Sequence, residues 1–220
     1  MPRKRIPALK QLINFERKTN TGFKAQNIAG GSLHSISPWT ANFGRTLDYY
    51  EPIHETLLRY TERIRGKSLL HIASSSGIYT RFLQSRGVKA VAFDVGKDAI
   101  VISKKVGNKR IVQGDALPSS EKLPFADNSF HFFLSDNFLF SKYNAIFDTG
   151  EIGSLSVLHD LHRILKSNGI GIMLVGSIEK FNANLNYVKK SFNVLEIREV
   201  SNDRRVLDES AGIVVLRKKT

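Results

Sequence analysis

Two carboxylates stand where a ligand can use them. Asp94 closes the apolar run Val91-Ala92-Phe93, and Asp115 follows a second short run ending at Gln113. An acid at the end of a buried strand, roughly 20 residues past the preceding strand's turn, can accept both hydrogen bonds of a ribose diol. An acid after the next strand can accept from the exocyclic amine of an adenine, with the backbone of Gly114 and Ala116 bracketing the ring. Singly, each is also a helix N-cap or a solvated turn. As a pair at successive strand ends they suit an adenosine.

In front of them lies His71-Ile72-Ala73-Ser74-Ser75-Ser76-Gly77. Gly77 is free to take a positive φ, whereas Ala73 and Ser75 are small enough for close approach but are penalised in a left-handed conformation. The hydroxyls of Ser74 to Ser76 can meet a carboxylate or cap the next helix. His71 has two readings: a group pairing with a carboxylate or acting as a base, since its charge is tunable near neutrality, or a hydrogen-bonded histidine at a strand end, which is the simpler. His159 and His162 are three apart, but no further His or Cys stands at ligand spacing, so no metal site is expected.

These residues fall at the ends of regularly punctuated segments. A helical pattern covers Tyr49–Arg65, with Ile53, Leu57, Leu58 and Ile64 on one side and Gly66 as a stop. Ser68–Ala73 reads as a strand, Ile78–Arg86 as a helix stopped by Gly87, Val88–Asp94 as a strand and Lys97–Val106 as a helix stopped by Gly107. Arg110–Gln113 and Phe130–Ser135 are strands. Gly153–Lys166 is a helix ended by Asn168-Gly169, and Ile170–Val175 is a strand. Strands alternating with helices of this length predict βαβ units and a parallel sheet. A helix near Lys180–Lys190 precedes Val194–Val200 and Gly212–Arg217, two strands with no helix between them and therefore antiparallel.

Two segments carry a family resemblance. Leu123-Pro124-Phe125-Ala126-Asp127-Asn128-Ser129-Phe130 resembles the LPF-x-D-x-SF segment of class I S-adenosylmethionine-dependent methyltransferases, in particular the type 11 group. Leu161-His162-Arg163-Ile164-Leu165-Lys166-Ser167-Asn168-Gly169 is similar to that group's R-[VI]-L-K-P-G-G turn into the fifth strand. The resemblance covers roughly residues 66–176. It implies a Rossmann-like α/β fold: a seven-stranded, mostly parallel sheet with an antiparallel C-terminal strand and helices on both faces. It also implies S-adenosyl-L-methionine as cofactor. His71, Ala73, Ser75 and Gly77 would approach its methionine end, Asp94 its ribose, Asp115 and Ala116 its adenine, and Ser135 would line the end of the fourth strand. The acceptor would lie beyond Ser135-Asp136-Asn137-Phe138, with Asp136 as base and Asn137 orienting a polar acceptor. Trp39, Phe43, Tyr49 and Tyr50 are candidates for an aromatic lid, or for simple packing of the N-terminal segment.

The departures are as specific. The family's first motif runs acid-x-Gly-x-Gly-x-Gly; here His71 replaces the acid and only Gly77 of the glycines remains. His131 stands where Asp usually follows Ser-Phe, and Pro118-Ser119-Ser120-Glu121 lengthens the link before the LPF segment.

The 220 residues are 41% hydrophobic and 24% charged, which permits a sizeable core. Without cysteine there is no disulfide scaffold, thiolate metal site or Cys nucleophile. No apolar run reaches the roughly 20 residues of a membrane span. The net charge is +13, and the first 30 residues hold seven Lys/Arg against the single acid Glu16. Residues 1–44 are therefore read as a basic arm and 45–220 as the methyltransferase-like domain. The expected function is methyl transfer to a small molecule or a nucleic acid. The alternative is a non-catalytic domain that binds RNA or a ribonucleoprotein, since a basic arm attracts phosphate backbones. A cytoplasmic location is expected, with organelle import left open.

Overall fold

Period-two alternation along the strands sends successive apolar side chains to opposite faces of one sheet: Leu69 faces one core and Leu70 the other. The computed structural model describes residues 14, 46–61, 63–116, 122–136, 139–140, 150–200 and 211–220. In chain order the elements are α1 (Thr46–Tyr60), β1 (Ser68–Ile72), α2 (Ile78–Ser85), β2 (Lys89–Asp94), α3 (Lys97–Lys105), β3 (Ile111–Gln113), β4 (Phe130–Asp136), α4 (Gly150–Ile164), β5 (Leu165–Val175), α5 (Ile178–Ala183), α6 (Leu185–Ser191), β6 (Phe192–Glu199) and β7 (Gly212–Lys218). The seven strands form one sheet in the order β3-β2-β1-β4-β5-β7-β6. β7 runs antiparallel to both β5 and β6, and the pairings among β3, β2, β1, β4 and β5 are parallel. This is the expected doubly covered sheet with its antiparallel C-terminal strand.

One core lies beneath α1 and α2, where Ile53, Leu57, Tyr79 and Phe82 meet Leu134, Ile172 and Val215. The other lies beneath α4 and α6, where Leu158, Leu161 and Val188 meet Phe133, Met173 and Leu216. Tyr50, in α1, stacks on Tyr79 with ring centroids 4.5 Å apart and is buried. Of the four aromatics considered for a lid it is thus a core residue. Trp39, Phe43 and the side chain of Tyr49 lie outside the described residues, as does the basic arm apart from Asn14.

Three of the boundaries that differ from expectation have a visible cause. α1 ends at Tyr60 rather than Arg65, because Lys67 N–H closes a turn on the Ile64 carbonyl and Gly66 N–H donates to the Gly87 carbonyl. The single helix expected near Lys180–Lys190 is two, broken at Asn184, whose side-chain amide donates to the Lys180 carbonyl. α4 ends at Ile164, and Asn168-Gly169 do not stop it. The last carbonyls of α4 are satisfied from elsewhere: Asn128 N–H donates to Arg163 O and Ser129 N–H to Ile164 O. Asn168, with φ 60°, instead marks the irregular start of β5, where the register against β4 shifts between Phe130 and Phe132.

The two segments that carried the resemblance are one physical unit. Arg163 donates to the carbonyls of Leu123 and Phe125 and to the carboxylates of Asp127 and Asp160, while Leu123 N–H donates to Asp160. Lys218, from β7, reaches Asn128 Oδ1 and the Leu165 carbonyl. Replacing Arg163 by Ala strands these acceptors and should destabilise the fold by about 2 kcal/mol in urea titrations. Arg163→Lys keeps the charge but loses the planar fork, and should recover only part of this.

α1 is joined to α2 by a buried histidine. His54 Nδ1 lies 3.0 Å from the Tyr79 hydroxyl, its ring meets Phe82 edge-on, and its Nε2 has no partner among the described residues. Burial, reinforced by Arg86, holds its pKa down at about 4 against 6.5. A base depressed in the fold stabilises fully above its unfolded pKa, and that stability is lost as pH falls from about 6.5 through about 4. The loss expected from His54 is at most about 3 kcal/mol. His131 and His162, both lowered chiefly by burial, act in the same direction. Urea midpoints measured across this window should fall with acid, and should fall less in His54→Phe.

Candidate functional site

The parallel strands end along one rim, and the turns that leave it carry the residues singled out above. After β1 the chain must reverse into α2 within five residues, Ala73 to Gly77. It does so by alternating: Ala73 (φ 52°), Ser75 (φ 50°) and Gly77 (φ 67°) are all left-handed. These are the three positions at which the family motif has glycine. The backbone path is retained although two of the three glycines are not, at a cost of about 1–2 kcal/mol for each non-glycine residue.

The surroundings hold this path. Gly77 N–H donates to Ser74 O, Ser74 N–H to Phe93 O, and Asn108 Nδ2 donates to Gly77 O at 2.8 Å. A Cβ on Gly77 would stand 2.5 Å from Asn108 Nδ2 and collide with Ser103 Oγ, so this glycine is required by space as well as by φ. Sequence reasoning missed Asn108. Its only signal was a polar residue at the end of α3, and its partner is 31 residues away.

Asp94 ends β2 and faces the loop. Its Oδ2 accepts from Ser75 N–H at 2.8 Å and its Oδ1 from Gly96 N–H at 2.9 Å. The carboxylate thus ties the turn after β1 to the start of α3. Asp115 is exposed beyond β3, and Ala116 is half-buried beside the second core. Between Asp94 and Asp115, Gly114 N–H donates to Asp94 O, and a Cβ there would lie 2.8 Å from the Phe93 ring. Val95, directly after Asp94, is 61% exposed, an apolar side chain at the rim that the sequence did not single out.

Ser135 and Asp136 end β4 next to β1, with Ser135 paired to Ile72. The hydroxyls of Ser135 and Ser74 are buried and have no hydrogen-bond partner among the described residues. Such orphans are uncommon in a finished core and are the groups a bound polar ligand would satisfy. The side chain of Asp136, and all of Asn137 and Phe138, lie outside the described residues. So does the lengthened link Pro118-Ser119-Ser120-Glu121.

His71 stands one residue before the end of β1 and pairs with Leu134 of β4. It is fully buried among Tyr50 and Tyr79, with Nδ1 2.7 Å from Thr80 Oγ1. Among the described residues no group of three or more His, Asp or Glu could hold a metal, and His162 packs edge-on against Phe192. His131 Nδ1 sits 2.8 Å from Ser68 Oγ at the opposite end of the sheet.

The chain's likenesses agree with this geometry. Residues 70–173 match the methyltransferase domain family. Ubiquinone/menaquinone biosynthesis C-methyltransferases (UbiE) from several Legionella pneumophila strains are 30% identical, over 54% of this chain and 54% of theirs. The chain thus spans about half the length of these curated relatives. Among solved structures, a Pyrococcus horikoshii protein superposes with a TM-score of 0.62 at 17% identity, covering 86% of this chain and 97% of that one. A S-adenosylmethionine-dependent methyltransferase from Methanosarcina mazei gives 0.58 at 14%, covering 74% and 96%. Residues 70–173 are thus similar to class I S-adenosylmethionine-dependent methyltransferase domains of the methyltransferase type 11 group, and the cofactor of that family is S-adenosyl-L-methionine. The loop, the acid behind it and the two orphaned hydroxyls fit such a group.

Restoring glycine at the strained positions tests the loop directly. Ala73→Gly and Ser75→Gly should each stabilise the protein by about 0.5–1 kcal/mol, the relief of φ less the added chain entropy. Gly77→Ala should destabilise it by more than either gain, as read from urea midpoints.

Proposed function

We propose that this chain transfers a methyl group from S-adenosyl-L-methionine to a small-molecule acceptor, with Asp94 on the cofactor's ribose and Asp115 on its adenine. The observation that carries the proposal is the left-handed course at Ala73, Ser75 and Gly77. Two strained non-glycine residues thus keep the conformation of a glycine motif, braced by Asp94 and Asn108, which supports a loop still shaped for the cofactor. Small-molecule chemistry is supported by the Legionella relatives, which are C-methyltransferases of ubiquinone/menaquinone biosynthesis.

The proposed division of labour follows the rim. The Asp94 carboxylate, pre-oriented by the amides of Ser75 and Gly96, holds the ribose hydroxyls. Val95 supplies an apolar wall beside the adenine, and Asp115 accepts from its amine. The hydroxyls of Ser74 and Ser135 take the polar groups of the methionine end, close to the backbone of Ala73–Gly77. When bound, the cofactor supplies an electrophilic methyl group on a sulfonium. Asp136, at the end of β4, is the residue proposed to accept a proton from the acceptor, and Asn137 to orient it. His71 is a positioning residue: through Thr80 it holds the start of α2 under the loop.

Calorimetry with S-adenosylhomocysteine tests the reading. Binding is expected, and Asp94→Ala should weaken it at least tenfold, the loss of hydrogen bonds to a charged group. Asp115→Ala should weaken it less, because its carboxylate is exposed. No heat at millimolar ligand would favour the alternative, a non-catalytic domain that serves as an RNA or ribonucleoprotein binding module.

A further inference from the structure

The opposite end of the sheet carries a feature that methyl transfer does not use. Lys109 and Arg110 precede β3, Lys89 opens β2, Lys67 precedes β1 and Lys166 lies at the start of β5. The register brings them level. Ser68 pairs with Lys89, Leu69 with Phe132, and Phe130 with Leu165, so Lys67, Lys89 and Lys166 surround the start of β4 at His131. Burial and then these three lysines depress the His131 pKa. Across β3-β2-β1-β4-β5 the row spans four strand spacings, about 19 Å.

Helix dipoles do not account for it. Lys104 and Lys105 lie in the last turn of α3, where a cation is favoured. The five residues of the row lie beyond the helices, at the starts of strands, and none forms an ion pair among the described residues. Side-by-side like charges on adjacent strands are destabilising without a counter-charge. The nearby acids Asp127 and Asp160 are both engaged by Arg163. The acids Asp94, Asp115 and Asp136, by contrast, stand at the other end of the strands. The domain is polarised along its strands.

We infer that this row at the starts of the parallel strands docks the sugar–phosphate backbone of a nucleic acid, remote from the methyl-transfer rim. A linear file of lysine and arginine matches a linear file of phosphates, which need no base-specific contact to be held. An anionic membrane is the poorer partner, because its peripheral binders add an apolar anchor. The large exposed apolar residues among those described are Val95, Val101, Tyr187 and Ile197, none of which belongs to this row. The docked strand lies away from the cofactor end, so it tethers the protein and is not the methyl acceptor. This inference stands on charge and register and does not depend on the cofactor reading.

The test uses the full chain and a fluorescein-labelled single-stranded RNA of about 15 nucleotides. Anisotropy titrations over a salt series compare the protein with the triple variant Lys67→Ala, Lys89→Ala, Lys166→Ala. Both keep the basic arm, so the difference reads the row. The variant should bind at least tenfold more weakly near 100 mM salt. Its log–log salt slope should be shallower by about 2, at about 0.7 per lost contact. In NMR titrations, RNA should raise the His131 pKa in the unmodified protein by neutralising the lysines, and leave it unmoved in the variant. Equal affinity and slope in the two proteins would overturn the inference. So would binding of the unmodified protein to phosphatidylserine vesicles but not to RNA at the same ionic strength. S-adenosylhomocysteine titration of the same pair reads the other end of the sheet, so a failure there touches the methyltransferase reading alone.

Discussion

The hydrogen bond from Ser75 N–H to the Asp94 carboxylate ties the site together. A chain that leaves a buried strand and enters a helix on the same sheet has few residues in which to reverse. Its amides must then point at something. Here one amide points at a carboxylate on the neighbouring strand, and that carboxylate is held from its other side by Gly96. Two turns, each weak alone, become one braced pocket wall. The left-handed residues Ala73 and Ser75 persist because Asp94, Asn108 and the Phe93 carbonyl over-determine the path around them.

A second brace lies at the far end of the sheet. Arg163 takes up the carbonyls and carboxylates of the segment before β4, and the amides of that segment in turn close the end of α4. The exchange is reciprocal: a helix gives its last carbonyls to a loop, and the loop gives its own acceptors to the helix. The start of β4 is thereby set, and with it the position of Ser135 and Asp136 at the other end of the same strand. Packing on both faces carries the connection, since Phe133 and Leu134 leave opposite sides of β4 into different cores.

Charge follows the same axis. Parallel strands between antiparallel helices put helix starts at one rim and helix ends at the other, so anionic and cationic side chains separate along the strands. The acids gather where a ligand with hydroxyl and amine donors is proposed. The cations gather where the helices end, and the row at the strand starts extends them past what the dipoles need. The part of the +13 that lies outside the basic arm is therefore not spread evenly along the strands.

The order of strands and helices, the antiparallel ending and the two strand-end acids were legible in the sequence. Period-two and helical spacing, and glycines at Gly66, Gly77, Gly87 and Gly107, are local properties of the chain, and all four glycines do adopt positive φ. Where a helix stops was less legible when the groups that satisfy its last carbonyls are distant: α4 ends on Asn128 and Ser129, not on its own Asn168-Gly169. That His71 faces Thr80 and the aromatic core, and that Asn108 braces Gly77, depended on elements meeting across the sheet. Above all, Ala73 and Ser75 read locally as poor substitutes for glycine. Only the tertiary structure could decide that they keep the left-handed path, because the bonds that outweigh the strain come from β2 and from the end of α3, outside the loop itself.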